Sequence, residues 1–250
     1  SIYFGCREPH LPLEYGYARA RLEAEGHDVL MLDAHLHGLS NADAVARLEA
    51  FAPEMLVMTT APSYLFWRCA PPELRVPHEL LARSAHLDCL RVVVGPHAST
   101  TPGTTLRKLD ADAVVIGECE DVLPLLARDR GTKRNRRAGW DAIPSIAFVP
   151  PDDDPASSGG LVRVQGTPHA TDMTSLPALR WTAEDLARHR HHHHRFDAKP
   201  RGPGAEMEVS RGCPYHCSFC AKDNFRDDYR KRPLDVILDE LDGLIAVGAE

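Results

Sequence analysis

The chain has 250 residues, a formal net charge of −7 and a sequence pI near 6.0, a balance that argues against a general nucleic-acid or membrane-surface partner. No apolar run approaches the ~18 residues needed to span a bilayer. Seven cysteines with no secretory leader suit a reducing, cytoplasmic setting, where thiols are more often ligands or core residues than bridges. The length can bury a real core and is expected to hold more than one domain. Both ends read as interior to a longer protein, since no Met opens the chain and a helical pattern is just closing at Glu250.

Ile2-Tyr3-Phe4 reads as a first strand, followed by Gly5 and a loop over 6–12. A helix is expected over 13–25, with Tyr15, Ala18 and Leu22 on its inner side and Gly26 at its C-cap. Val29-Leu30-Met31-Leu32 reads as a second, buried strand. Ser40 or Asn41 can cap a helix carrying Val45, Leu48 and Phe51, which Pro53 stops. Met55-Leu56-Val57-Met58 is a third strand. The loop over 59–77 is long and rich in aromatic residues and proline, which suggests a functional connection. A helix near 78–85, a strand at Val92-Val93-Val94-Gly95, a short helix at 106–109, a strand over 113–117 and a helix over 120–127 complete the series.

Five continuous apolar strands alternating with helices imply a parallel sheet covered on both faces, a doubly wound, flavodoxin-like α/β domain over 1–127. The expected strand order is 2-1-3-4-5, with the switch point between the first and third strands. Ligands would then meet the loops 6–12, 59–63, 95–99 and 117–120.

Residues 128–204 change character. The basic run 128–137 reads as a solvated linker, and Ile146-Ala147-Phe148-Val149 with Leu161-Val162-Arg163-Val164 reads as an accessory hairpin. Leu176-Pro177-Ala178-Leu179 is a small apolar clasp, and the histidine-rich tract 189–195 reads as low complexity.

The last part, 205–250, begins with an expected strand over 206–210 that leads into Cys213-Pro214-Tyr215-His216-Cys217-Ser218-Phe219-Cys220. Three thiolates in one loop are one short of the usual four-cysteine ligation of an iron–sulfur cube, so a bound cluster would keep one iron open. A structural zinc site would need a fourth ligand, which only the cramped His216 offers, and a disulfide framework does not suit an odd cysteine cluster. A helix follows over 233–247, with Val236, Ile237, Leu241, Leu244 and Ile245 as its apolar face and Gly248 beyond its end.

The Cys-x-x-x-Cys-x-x-Cys pattern of Cys213, Cys217 and Cys220, with Phe219 before the last cysteine, resembles the signature of radical S-adenosylmethionine enzymes. The resemblance implies a 4Fe-4S cluster on the three cysteines and S-adenosylmethionine bound at its open iron, with Phe219 and Tyr215 beside it. It also implies that 205–250 is the first βα unit of an α/β barrel, and Tyr229-Arg230 is a pair also seen in that family.

The first 127 residues resemble the cobalamin-binding domain of cobalamin-dependent members of the family. The likeness rests on 13–26 with His27-Asp28-Val29 and Leu32-Asp33-Ala34, on Val93-Val94-Gly95-Pro96-His97, and on Val115-Ile116-Gly117-Glu118-Cys119-Glu120. It implies cobalamin at the switch-point loops, with His10, Thr59, Thr60, Ser63, Gly95, Pro96, His97, Gly117 and Glu118 as candidate contacts. Asp33-Ala34-His35-Leu36-His37-Gly38 matches the base-off cobalamin signature letter for letter, but it follows the second strand, off the switch point, so His35 is not assigned to cobalt. Cys6, Cys69, Cys89 and Cys119 read as small buried residues, with the second cluster of the methylthiotransferases as the alternative.

The resulting expectation is a cobalamin-dependent radical enzyme that methylates an unactivated carbon of a small molecule, drawing electrons from a donor such as flavodoxin or ferredoxin. A cyclisation, rearrangement or methylthiolation is the rival reaction, and a cofactor-binding sensor without turnover is the rival of another class.

Overall fold

The structure is a computed structural model that describes residues 11–34, 36–60, 74–128, 139–151, 160–188, 203–220 and 228–250. Three strands run parallel: β1 (Met55–Thr59), β2 (Leu90–Val94) and β3 (Ala113–Val115), with Met55 opposite Leu90 and Val92 opposite Ala113. Two more, β4 (Ile146–Phe148) and β5 (Arg163–Gln165), continue the same sheet antiparallel, so its order is β1-β2-β3-β4-β5.

Side chains on successive strand residues leave the sheet on opposite sides, and both sides are dry. Leu90, Val92, Val94, Ala113, Val115, Ile146 and Phe148 pack on one face with Ala18 of α1 (Leu13–Ala24), with Leu123 and Leu126 of α6 (Val122–Ala127) and with Trp140. Leu56, Val93, Val114 and Ala147 pack on the other. There they meet Leu81 of α3 (Arg75–Arg83) and Leu106 of α5 (Pro102–Lys108), with Leu48 of α2 (Asn41–Phe51) at the margin. Apolar runs without polar alternation are what a sheet buried on both faces requires, and the fold is doubly wound α/β.

Helix α2 starts where expected because Ser40 and Asp43 form a capping box. The Ser40 hydroxyl accepts from the Asp43 amide at 3.2 Å, and the Asp43 carboxylate accepts from the Ser40 amide at 3.2 Å. It ends on Ala52 at φ 51°, just before Pro53. Helix α3 opens earlier than expected, at Arg75, and a short helix α4 (Pro96–Thr100) precedes α5.

The expected first strand lies outside the described residues. Residues 29–32 join no ladder among the described residues, and Leu30 is 39% exposed. Among the described residues, an apolar slot of about 580 Å³ lies between residues 28–32 and β1, lined also by Tyr15, Leu22 and Leu126. The hairpin is not an accessory: its first strand takes the far edge of β3, because Val114 and Val115 present unsatisfied backbone that Ala147 and Ile146 pair. Phe148 then meets Trp140 edge-on at 5.3 Å, and Ser145 accepts the Ile116 amide at 2.7 Å through its carbonyl.

The C-terminal part docks on α1. Leu11, Leu13 and Tyr17 form a third buried cluster with Leu176, Leu179, Trp181, Leu186 of α7 (Ala183–Arg188) and Leu244 of α8 (Leu234–Ala246). The apolar clasp read at 176–179 is thus the filling between two helices. Of the expected α8 face, Ile237 and Leu244 are buried, whereas Leu241 and Ile245 turn outward with Leu234 and Leu238. The expected strand over 206–210 is shorter and differently partnered: β6 (Ser210–Arg211) pairs antiparallel with β7 (Arg230–Lys231). No helix among the described residues is long and apolar enough to cross a membrane.

Candidate cofactor site and its buried joint

The cysteine loop hangs from the β6–β7 pair. Gly212 makes that pairing possible: its φ is +80°, and a Cβ there would lie 1.8 Å from the Asp228 carbonyl oxygen. The Arg232 amide closes the far side by donating to the Val209 carbonyl at 3.0 Å. Beyond Gly212 the loop turns outward. Cys213 and Cys220 are half-buried, Cys217 is exposed, and all three are free thiols. The Cys220 amide donates to the Cys217 carbonyl at 3.0 Å, a tight turn that holds the last two cysteines together. Phe219 is 91% exposed and Tyr215 70%, so both candidate S-adenosylmethionine contacts stand open on the same loop.

The switch-point loops are stitched to one another. Thr60 follows β1, its amide donates to the Val94 carbonyl at 2.9 Å, and its hydroxyl accepts from the His97 amide at 3.3 Å. Ser99 accepts the Gly117 amide at 2.9 Å. Gly95 turns at φ 105° and lets Pro96 start α4 directly at the end of β2. Thr59, Thr60, Gly95, Pro96 and His97 therefore meet at the C-terminal ends of β1 and β2. His97 keeps a buried Nδ1 with no partner among the described residues, and burial, with Lys108 nearby, holds its pKa below the usual histidine range. Burial pushes the nearby Tyr15 hydroxyl well above the usual tyrosine range. His10 and Ser63 lie outside the described residues, as does His35. Asp33 caps the turn of the discounted signature by accepting the Leu36 amide at 2.9 Å.

Gly117 and Glu118 are placed differently. A segment over 168–171 lies across the end of β3, and the His169 amide and carbonyl pair with Ile116 and Glu118. A Cβ on Gly117, at φ +89°, would lie 2.3 Å from the His169 nitrogen. Glu118 is 1% exposed, and its carboxylate faces the C-terminal part rather than an open ligand cradle. It grips Arg230 with two parallel bonds, Nη1 to Oε2 at 2.9 Å and Nη2 to Oε1 at 2.7 Å. The Thr171 amide donates to it at 2.8 Å, and Arg211 Nη1 is 3.2 Å away. This carboxylate is therefore engaged in a structural joint.

Arg211 is the centre of that joint. Its side chain is fully buried, with Nη2 2.5 Å from Glu120 Oε1 and Nε 2.8 Å from Glu208 Oε2. Burial acts to lower its pKa, but Glu120, Glu208, Glu118 and Glu14 outweigh that and hold it well above the ordinary arginine value. The guanidinium carbons of Arg211 and Arg232 also lie 5.5 and 5.1 Å from the centre of the Tyr17 ring. Among the described residues, the tight group of three possible metal ligands is Glu14, Cys119 and Glu120, and Arg211 already supplies the positive charge there. Sequence reasoning missed the joint, although Glu118, Glu120, Glu208, Arg211 and Arg230 were each in view as neighbours of the motifs.

The match to known proteins follows the same division. Residues 7–127 match the B12 binding domain family. The chain is 25% identical over 244 residues to the anaerobic magnesium-protoporphyrin IX monomethyl ester cyclase of Rubrivivax gelatinosus, covering 94% of this chain and 39% of that protein. It is 26% identical over 235 residues to the hopanoid C-3 methylase of Methylococcus capsulatus, covering 92% and 39%. It spans less than half the length of these curated relatives. In fold it is similar to the cobalamin-dependent S-adenosylmethionine radical enzyme OxsB (TM-score 0.70, 17% identity, 97% of this chain and 30% of that one). It is also similar to the radical S-adenosylmethionine methyltransferase TsrM of Kitasatospora setae (TM-score 0.65, 21% identity, 96% and 44%). A domain matching the B12 binding family is thus joined through a buried salt-bridge joint to a three-cysteine loop, in a fold similar to that of cobalamin-dependent radical S-adenosylmethionine enzymes.

Proposed function

We propose that the protein of which this chain is part cleaves S-adenosylmethionine reductively and methylates an unactivated carbon of a small molecule. The observation that carries this reading is the open three-thiol loop held beside a B12-binding domain. The donor set suits a 4Fe-4S cluster: three free, accessible thiols on one short loop, with no fourth cysteine in the motif. The loops at the ends of β1 and β2 suit a corrinoid, because they offer small residues, a turn at Gly95 and, among the described residues, an unpartnered Nδ1 on His97. When bound, the cluster supplies the electron that releases a 5′-deoxyadenosyl radical, and cobalamin supplies the methyl group.

The chain's own residues have plainer tasks. Cys213, Cys217 and Cys220 hold the cluster, while Phe219 and Tyr215 offer exposed rings to the adenosyl group. Thr60, Gly95, Pro96 and His97 would form the floor of a corrinoid site. The electron is drawn from a small redox protein such as flavodoxin or ferredoxin, and the setting is the cytoplasm.

Anaerobic reconstitution with iron and sulfide tests the cluster, with about four irons per chain expected. A Cys213/Cys217/Cys220→Ala variant that kept its iron would remove the basis of the proposal. Full-length reduced protein is expected to form 5′-deoxyadenosine, and cobalamin binding without that product would instead favour a sensor. Oxidative cyclisation is a second reading, carried by the likeness to the protoporphyrin ester cyclases, and a product heavier by one methyl group separates methylation from it.

A further inference from the structure

Resting on that reading, we propose that Glu118 and Arg230 are positioning residues that set the geometry between the two cofactor-bearing loops. Four segments meet at the Glu118 carboxylate. It leaves the end of β3, which carries the B12-binding fold. It accepts the Thr171 amide from the covering segment, and Arg230 of β7 and Arg211 of β6 from the far side. Arg230 also donates to the Thr171 carbonyl at 2.5 Å, so the same guanidinium ties the segment and the carboxylate together.

The geometry carries orientation as well as attraction. A fork of two parallel bonds between a planar guanidinium and a planar carboxylate fixes rotation in a way that a point charge cannot. The Arg230 side chain is 18% exposed and that of Glu118 2%, so water competes poorly for either group. From the fixed point the chain runs a very short way to the cluster. Arg230 pairs with Arg211 across β7 and β6, and Arg211 stands two residues before Cys213. In the other direction, the Gly117 amide donates to Ser99 at 2.9 Å, in the short helix α4 that carries His97. A rotation at the carboxylate would therefore move the first cluster ligand relative to the corrinoid floor.

Two measurements on the full chain test this. In protein holding a reduced cluster and cob(II)alamin, the magnetic interaction between the two centres reports their separation by electron paramagnetic resonance, with no substrate and no turnover. The wild type is expected to give one narrow distance. Arg230→Lys keeps the charge but loses the fork, and Glu118→Gln keeps the shape but loses the charge. Both should retain full iron and cobalamin yet give a shifted or broadened distance. In apo protein, amide exchange of Thr171, Arg211 and Arg232 should rise at least tenfold in Arg230→Lys, with the rest of the sheet unchanged.

An unchanged distance, or unchanged exchange at those amides, in both variants overturns the proposal, whatever the thermal midpoints. If wild-type protein binds neither cofactor, the functional reading fails and the positioning role falls with it, while the exchange experiment still decides whether the joint orders these segments.

Discussion

Glu240 Oε2 accepts from Arg232 Nη2 at 2.7 Å and from the Leu179 amide at 2.8 Å, and neither charged side chain is exposed. A helix α8 residue thus holds both the strand exit after β7 and the clasp before α7. Removing one partner of a buried pair leaves the other charge without compensation, at a cost of about 3–5 kcal/mol. Glu240→Ala is expected to lose that much in chemical denaturation. Glu240→Gln should lose less, since it still offers an oxygen to the Leu179 amide. Equal losses in the two variants would show that charge plays no part.

Gly212→Ala places a methyl group against the Asp228 carbonyl and asks an L-residue to hold φ +80°. The β6–β7 pair should open, and the variant should take up far less than the wild-type iron on reconstitution. Its far-UV circular dichroism should be nearly unchanged, because the large sheet does not depend on this residue. Iron content equal to wild type would contradict the role given to the strand pair.

Asp121 Oδ2 meets His169 Nε2 at 2.9 Å, and Arg21 lies 3.1 Å from Oδ1. Burial acts to raise the pKa of this carboxyl, but His169, Arg21 and Thr171 outweigh it and hold the value below the usual aspartate range. A carboxyl depressed in the folded state contributes stability that is present above its unfolded pKa, about 3.9, and is lost as pH falls through the folded value. Asp121→Asn should therefore flatten the acid limb of the thermal midpoint below about pH 4. A limb as steep as that of the wild type would refute the assignment.

Cys119 is fully buried, and burial together with Glu14 and Glu120 pushes its thiol well above the usual range. Cys217 is exposed. In apo protein near pH 8, iodoacetamide should modify Cys217 long before Cys119, as peptide mass spectrometry would show. Cys119→Ser is expected to keep full iron. A fall in iron would bring Cys119 into the cluster site.

Elements whose signals are local were legible in the sequence. Ser40 with Asp43 marks α2, Gly26 follows the end of α1, and Pro233 precedes α8, because a cap acts within three or four residues. The buried strands β2 and β3 were legible from runs of valine. Partnership was not. Nothing in Ile146-Ala147-Phe148 says which sheet edge it will take, and nothing in Val29-Leu30-Met31-Leu32 says that no ladder will form among the described residues. The joint is hidden for the same reason: Glu118 and Arg230 are separated by 112 positions, and a carboxylate beside a glycine reads equally well as a ligand contact. In Tyr229-Arg230 the two residues part company: Tyr229 is 49% exposed, whereas the Arg230 side chain is 18% exposed and held by Glu118.

The depth of Arg211 has a consequence for ionic strength. Surface pairs such as Arg83 with Glu79 and Arg188 with Glu184 stand in water, where a Debye length of about 8 Å at physiological salt weakens them. Dissolved ions cannot enter the space around a side chain that water itself does not reach. The link between the two halves should therefore hold from dilute buffer to concentrated brine, while the helix-surface pairs fade, and the spacing of the loops it carries should be indifferent to the salt of the surrounding solution.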